Sequence, residues 1–153
     1  MKAAVESASF KTNMDKESIS TLFTALRGGI IRDLKRENTT VQFRVELPEL
    51  ARVEEDGFGF FYATLSGCSK FYLQPFRNES TVLDSLQQIE RLEVEIHEGT
   101  IKGEIVKVFC AHKGVSNGAV LTIRASSFKV WNQNFDERNA GDLVRLRDGD
   151  LPG

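Results

Sequence analysis

Two carboxylates and an imidazole stand at alternate positions of one short segment, as Glu93, Glu95 and His97. Because side chains two residues apart project from the same face of a β-strand, these three groups would share a face. Such a set can bind a divalent metal ion or carry general acid–base chemistry, which makes a metal-assisted enzyme one functional hypothesis. A charged strand face turned to water explains the same pattern without any ligand, so we assign no catalytic residue.

Seven of the fourteen aromatic residues lie between Gly57 and Phe76. They are Phe58, Phe60, Phe61, Tyr62, Phe71, Tyr72 and Phe76. Aromatic side chains bury large apolar areas and also stack on ligands, so the block fits either a core or a binding face. Alternation places Phe58, Phe60 and Tyr62 on one face of a strand and Phe61 on the other. We predict that the block serves mainly the core, with at most one or two rings at a recognition surface.

The segment Gly57-Phe58-Gly59-Phe60-Phe61 resembles the RNP1 core of RNA-recognition and cold-shock domains, in which strand aromatics stack on bases. The resemblance implies that Phe58 and Phe60 form the stacking pair, and Tyr62 joins them as a candidate binding residue on the same face. Asp56 departs from the pattern, because both families usually place a basic residue there. Binding of single-stranded nucleic acid is therefore an alternative to a core strand whose glycines allow close packing.

A second group of candidate binding residues is basic. Four positive charges fall within ten positions, as Arg27, Arg32, Lys35 and Arg36. In a strand over residues 30–36, Arg32 and Arg36 would share one face and Lys35 would lie on the other. A charged edge that prevents strand addition is the favoured interpretation, and a phosphate-binding patch that uses Arg32 and Arg36 is the alternative.

Composition indicates one domain without cofactors. The chain has 153 residues, 41% hydrophobic, which suffices for a core without metal or disulfide, and its net charge of −2 provides no overall attraction to nucleic acid or membranes. The first ten residues lack the apolar run of a signal peptide, and no segment has the roughly 20 apolar residues of a membrane span, so we expect a cytoplasmic protein. Cys68 and Cys110 are accordingly expected to be reduced and buried.

The hydrophobic periodicity predicts an α+β fold. We expect a flexible N-terminus over residues 1–12, a β-rich domain over 13–131 and a polar C-terminal tail over 132–153 with little regular structure. Ile19, Leu22, Phe23 and Leu26 predict a helix over 15–27, capped by Asn13 or Asp15 and ended by Gly28, and a short central helix should run from Ser80 to Arg91. The acidic run over residues 54–57 reads as a solvated loop.

Short turns between seven or eight strands predict a mostly antiparallel sheet, closed into a barrel or folded as a two-layer sandwich. The segments 26–30, 41–48, 65–68 and 75–76 resemble those of small uncharacterised bacterial proteins without an assigned activity. We expect a non-catalytic binding or protein-interaction module whose partner is a protein or a small ligand. Because the strand over residues 58–65 is apolar on both faces, a homodimer that covers one of these faces is a further expectation.

Overall fold

The computed structural model describes residues 16–76, 81–112 and 115–149. The predictions for residues 1–12, for the cap at Asn13 or Asp15 and for Ser80 lie outside these ranges. The described helices are α1 (residues 16–25), α2 (Pro48–Glu54), α3 (Leu86–Arg91) and α4 (Ala140–Arg147). The strands are β1 (Ile30–Glu37), β2 (Thr40–Glu46), β3 (Phe60–Ser66), β4 (Lys70–Pro75), β5 (Glu95–Lys102), β6 (Ile105–His112), β7 (Val115–Arg124), β8 (Ser127–Trp131) and β9 (Glu137–Arg138).

The nine strands form one antiparallel sheet in the order β4-β7-β6-β5-β1-β2-β3-β8-β9. The α+β class and the antiparallel sheet are as predicted. The sheet is not closed, so the barrel alternative is wrong. The edge strands β4 and β9 do not pair with each other, although Phe71 on β4 and Phe43 on β2 approach with ring centroids 6.4 Å apart. Since four strands separate β4 from β2 in the sheet order, the sheet must bend so that its two halves enclose a common core.

Alternating side chains set the inner and outer sides of this sheet. In β2, Val41, Phe43 and Val45 are buried, while Gln42 and Glu46 at alternate positions are exposed. β3 pairs with β2 in register and follows the same alternation, with Phe61, Ala63 and Leu65 on the inner side. The predicted assignment of Phe61 and Tyr62 to opposite faces is confirmed.

Helix α1 lies in the core, as its spacing predicted. Ile19, Leu22, Phe23 and Leu26 are all at most 3% exposed. The Phe23 ring stacks on Phe128 at 4.5 Å between centroids. Gly99 on β5 permits the close approach, because a Cβ at this position would lie 2.7 Å from the Ser20 carbonyl oxygen. The Gly99 N–H donates to the Thr24 hydroxyl at 2.9 Å.

A β-bulge changes the face assignment of β1. The register with β2 shifts between Arg32 and Lys35, and Asp33 takes the left-handed conformation, with φ of 55°. Arg32 pairs with Arg44 and Lys35 pairs with Gln42, and both partners point to the outer side. Arg32 and Lys35 therefore share a face. The prediction that Arg32 shares its face with Arg36 is wrong, because the extra residue of a bulge reverses the alternation that follows it.

The prediction of a solvated loop over residues 54–57 is confirmed for residues 55–57, which are exposed, but it is wrong for Glu54. Glu54 is the last residue of α2, and its side chain is only 8% exposed. Glu54 Oε1 accepts hydrogen bonds from Asn132 Nδ2 at 2.7 Å and from Arg138 Nε at 2.6 Å. This buried carboxylate joins α2 to the polar segment that we expected to lack regular structure.

That expectation for the C-terminal segment is wrong for the described residues up to 149, which form β9 and α4. Asn139 caps α4 by accepting from the Asp142 N–H, and the Asp142 carboxylate accepts from the Asn139 N–H. Leu143 and Leu146 of α4 are buried.

The central helix α3 is shorter than predicted and begins after its cap Ser85. None of the helices in the described residues has the length and apolar character required to cross a membrane.

Candidate functional site

The outer side of the sheet over β1, β2, β3 and β8 carries two rows of side chains that run across the strands. One row consists of Arg32, Arg44, Tyr62 and Trp131. The other, which we call the lysine row, consists of Lys35, Gln42, Thr64 and Lys129. Directly paired residues on one side of an antiparallel sheet have Cβ atoms about 5 Å apart, so each row is a continuous strip.

Four rings define what we call the aromatic face: Phe60, Tyr62, Trp131 and Phe135. Phe135 stacks on Tyr62 with centroids 4.5 Å apart and an interplanar angle of 8°, and Phe60 meets Tyr62 edge-on at 5.1 Å. The Arg44 guanidinium lies 4.6 Å from the Phe60 centroid, within cation–π distance. Phe60, Tyr62 and Trp131 are half-buried, whereas Phe135 is 66% exposed. One side of the Phe135 ring rests on Tyr62, so its other side is available to a ligand.

A hydrogen-bonded turn over residues 132–136 holds Phe135 in place. The buried Asn132 accepts at Oδ1 from the N–H groups of Asn134 and Asp136, both at 2.9 Å. Phe135 donates its N–H to the Asn132 carbonyl at 3.0 Å and has φ of 62°. This left-handed conformation is unusual for a bulky residue and costs about 1–2 kcal/mol. The surrounding hydrogen bonds compensate for that strain, a combination that is frequent at binding sites.

Two further contacts attach the turn to neighbouring elements. Gln133 Oε1 accepts from the N–H of Gly59 at 2.5 Å and from the N–H of Phe60 at 3.1 Å, which fixes the turn to the start of β3. Asn132 Nδ2 donates to Glu54 and so fixes the turn to α2. Because these contacts tie the turn to both β3 and α2, Phe135 is pre-positioned over the sheet, which lowers the entropic cost of binding to it.

A pocket of about 270 Å³ opens on the aromatic face. Tyr62, Trp131 and Phe135 provide rings along its walls, and Gln42 and Thr64 provide polar groups. Neither of these two polar side chains has a hydrogen-bond partner within the described ranges. The volume is just below the roughly 300–1,000 Å³ of sites for whole small molecules. It suits one ring of a larger ligand that continues over the surface.

The basic groups around the pocket differ in how strongly they are already paired. Arg32 forms ion pairs with Glu93 at 3.2 Å and Glu46 at 3.5 Å, and its hydrogen bond to Glu93 raises the pKa of Arg32. Arg44 pairs with Asp33 at 2.5 Å. Lys35 and Lys129 have no ion-pair partner among the residues that the structure describes. The lysine row therefore supplies the cationic groups that are free to meet an anionic ligand.

The structure brings together only part of the predicted acidic and imidazole set. His97 Nε2 lies 2.8 Å from Glu95 Oε2, and the pair borders a groove of about 920 Å³ that Arg27 and Arg147 also line. Glu93 has φ of 49° and forms an ion pair with Arg32 on the outer side of the sheet. Across residues 16–76, 81–112 and 115–149, no three His, Cys, Asp or Glu side chains form a group suited to holding a metal ion.

The other predicted binding residues are separated. Phe60 and Tyr62 belong to the aromatic face, while Phe58 packs against the core and lines a small pocket with Glu54. Arg36 donates from Nη1 to the Cys68 carbonyl at 3.3 Å. The aromatic block as a whole is less buried than predicted. Only Phe61 and Phe71 of its seven rings are buried.

Sequence reasoning missed Trp131 and Phe135 as functional candidates. Strand alternation offered a signal for Trp131, because it stands three positions after Phe128, which is buried on the inner side. Phe135 gave only a weak signal, as a single ring among polar residues.

Both cysteines are free thiols, as predicted, and both are buried. Desolvation by the surrounding core is the main cause that raises the pKa of each thiol, in the case of Cys110 to about 12. At neutral pH the thiolate required of a nucleophile is therefore strongly disfavoured at both positions.

Comparison of the chain with models of protein families, with curated proteins and with solved structures finds no match. The resemblance to small bacterial proteins remains an expectation.

Proposed function

We propose that the protein is a non-catalytic binding module and that the aromatic face is its ligand-binding surface. The exposure of Phe135 carries this proposal. A large ring that is 66% exposed contributes little to folding, yet hydrogen bonds within and around the turn over residues 132–136 hold it over Tyr62 in a strained backbone conformation. Rigid aromatic side chains at a surface are typical anchors in binding sites, because they give contact area at a low entropic cost.

The other sites among the described residues support catalysis less well than the aromatic face supports binding. The Glu95–His97 pair has both side chains close to half exposed, at 43% and 50%, and neither cysteine is activated. An active site usually combines a nucleophile or metal with a base and with groups that stabilise charge. The groove beside His97 offers a base and the guanidinium groups of Arg27 and Arg147, but no serine, cysteine or lysine nucleophile lines it in the described residues, and no metal-holding group is found there. Binding on the aromatic face is therefore the better supported function.

Fragment binding measured by NMR tests this proposal directly. We expect small aromatic and peptide fragments to shift the resonances of Tyr62, Trp131 and Phe135, and Phe135→Ala to remove these shifts while the fold is retained. Phe109→Ala is the matched control, since Phe109 is a 40% exposed phenylalanine on β6, away from this face. Shifts that concentrate on His97 and Arg147 instead would refute the proposal.

A further inference from the structure

We infer, on the basis of the proposed function, that the ligand of the aromatic face is single-stranded nucleic acid. The face combines two features that such a strand requires, which are ring surfaces for the bases and cationic groups for the phosphates. The exposed side of Phe135 offers a stacking surface, and the pocket beside Trp131 accommodates one further ring.

The polar groups of the pocket match the edge of a base. Gln42 can both donate and accept a hydrogen bond through its amide, and Thr64 can do so through its hydroxyl. A flat heteroaromatic ring between aromatic walls would meet these unpaired groups at its edge. A purely apolar ligand would instead leave both groups without a partner, at a cost in affinity.

The lysine row indicates the direction in which a nucleic-acid strand would cross the face. Lys35 and Lys129 stand at the two ends of this row, about 14 Å apart over three strand spacings. The pocket lies between them, so a strand that places one base in the pocket can place phosphates near both lysines. Glu137, which pairs with Trp131 at the sheet edge, sets a boundary that phosphates should avoid.

The competing occupant is a proline-rich peptide, which also docks on aromatic grooves. Two unpaired lysines favour an anionic ligand, because a proline ring does not need them. A second copy of this chain is an alternative occupant. The two unpaired lysines are therefore the feature that favours nucleic acid, despite the net charge of −2.

Trp131 is the only tryptophan of the chain, so its fluorescence reports directly on ligand binding at the aromatic face. The primary probe is an oligothymidylate of about ten nucleotides, because stacking tolerates any base. Thymidine monophosphate distinguishes a single nucleotide from a strand, inorganic polyphosphate tests charge alone, and a polyproline peptide tests the competing class. Oligothymidylate is expected to quench Trp131 at low salt, and the three other probes to bind more weakly.

Two variants separate the stacking contribution from the charge contribution. Phe135→Ala should lower affinity for oligothymidylate about 5- to 150-fold and leave its salt dependence unchanged. Lys129→Gln should make the slope of log K against log salt shallower by about 0.7, the value for one phosphate contact with a single strand. Glu137→Gln should raise the affinity. Phe109→Ala and Lys102→Gln are the matched controls, on β6 and β5, and should change nothing.

The outcomes distinguish this inference from the proposed function. If polyproline quenches Trp131 and oligothymidylate does not, the nucleic-acid inference is overturned and the binding face remains. Equal affinity for polyphosphate, or no effect of Phe135→Ala, also overturns it, since binding would then require charge only. If the wild-type chain sediments as a dimer and Phe135→Ala as a monomer, a second copy occupies the face and the inference is overturned. Failure of both oligothymidylate and the NMR fragments at this face overturns the inference and the proposed function together.

Discussion

Replacing Phe23 by alanine tests whether α1 is a layer of the core. Phe23 is completely buried and stacks on Phe128 at 4.5 Å, with Phe43 at 6.4 Å. Truncation of a buried phenylalanine to alanine costs about 3–5 kcal/mol, from lost burial and from the cavity that remains. A domain of this size is stable by about 5–15 kcal/mol, so the variant should still fold but lose a large part of its stability.

Urea and thermal unfolding measure this loss. For a chain of this length each kcal/mol lowers Tm by about 2–4 °C, so Phe23→Ala should melt about 6–20 °C below the wild type. Phe109→Ala removes the same atoms at a position that is 40% exposed, and it should cost about 1 kcal/mol or less. If both variants lose equal stability, α1 is peripheral and does not form a layer of the core.

Three further predictions concern close packing, ionisation and the buried carboxylate. Gly99→Ala should destabilise the fold by about 1–3 kcal/mol in urea, because its Cβ would press on the Ser20 carbonyl of α1. Gly59→Ala, with open space around the added Cβ, serves as the control. An equal loss of stability in both variants would argue against the contact between Gly99 and Ser20. Because the pKa of Cys110 is raised from 9.0 to about 12, the folded state keeps the proton that the unfolded state loses, so this contribution to stability is complete below pH 9 and falls as pH rises toward 12. Unfolding measured between pH 8 and 11 should show a steeper decline for the wild type than for Cys110→Ala, by at most about 1.4 kcal/mol per pH unit, and parallel curves would contradict the assignment. Glu54→Gln should weaken the contact with Arg138 and speed amide hydrogen exchange in residues 132–138 without changing exchange in β6; unchanged exchange in the turn would show that other contacts suffice to hold it.

The sequence by itself determined those parts of the molecule that local periodicity encodes. The spacing of Ile19, Leu22, Phe23 and Leu26 fixed the buried face of α1, since a helix turns by a constant angle per residue. Strict alternation likewise determined the inner side of β2, whereas β3 is apolar on both faces and its inner side was decided by its pairing with β2. The antiparallel character of the sheet followed from its short connections.

Only the tertiary structure decided the composition of the aromatic face. Phe135 reaches Tyr62 through a turn that depends on Asn132, which is 78 positions from its partner Glu54. The bulge at Asp33 moved Lys35 to the outer side, against the alternation of its neighbours. Contacts over such distances in sequence depend on where the whole sheet places its strands, and no local pattern records that placement. The sequence could therefore indicate that aromatic rings matter here, but only the folded chain could show which rings meet.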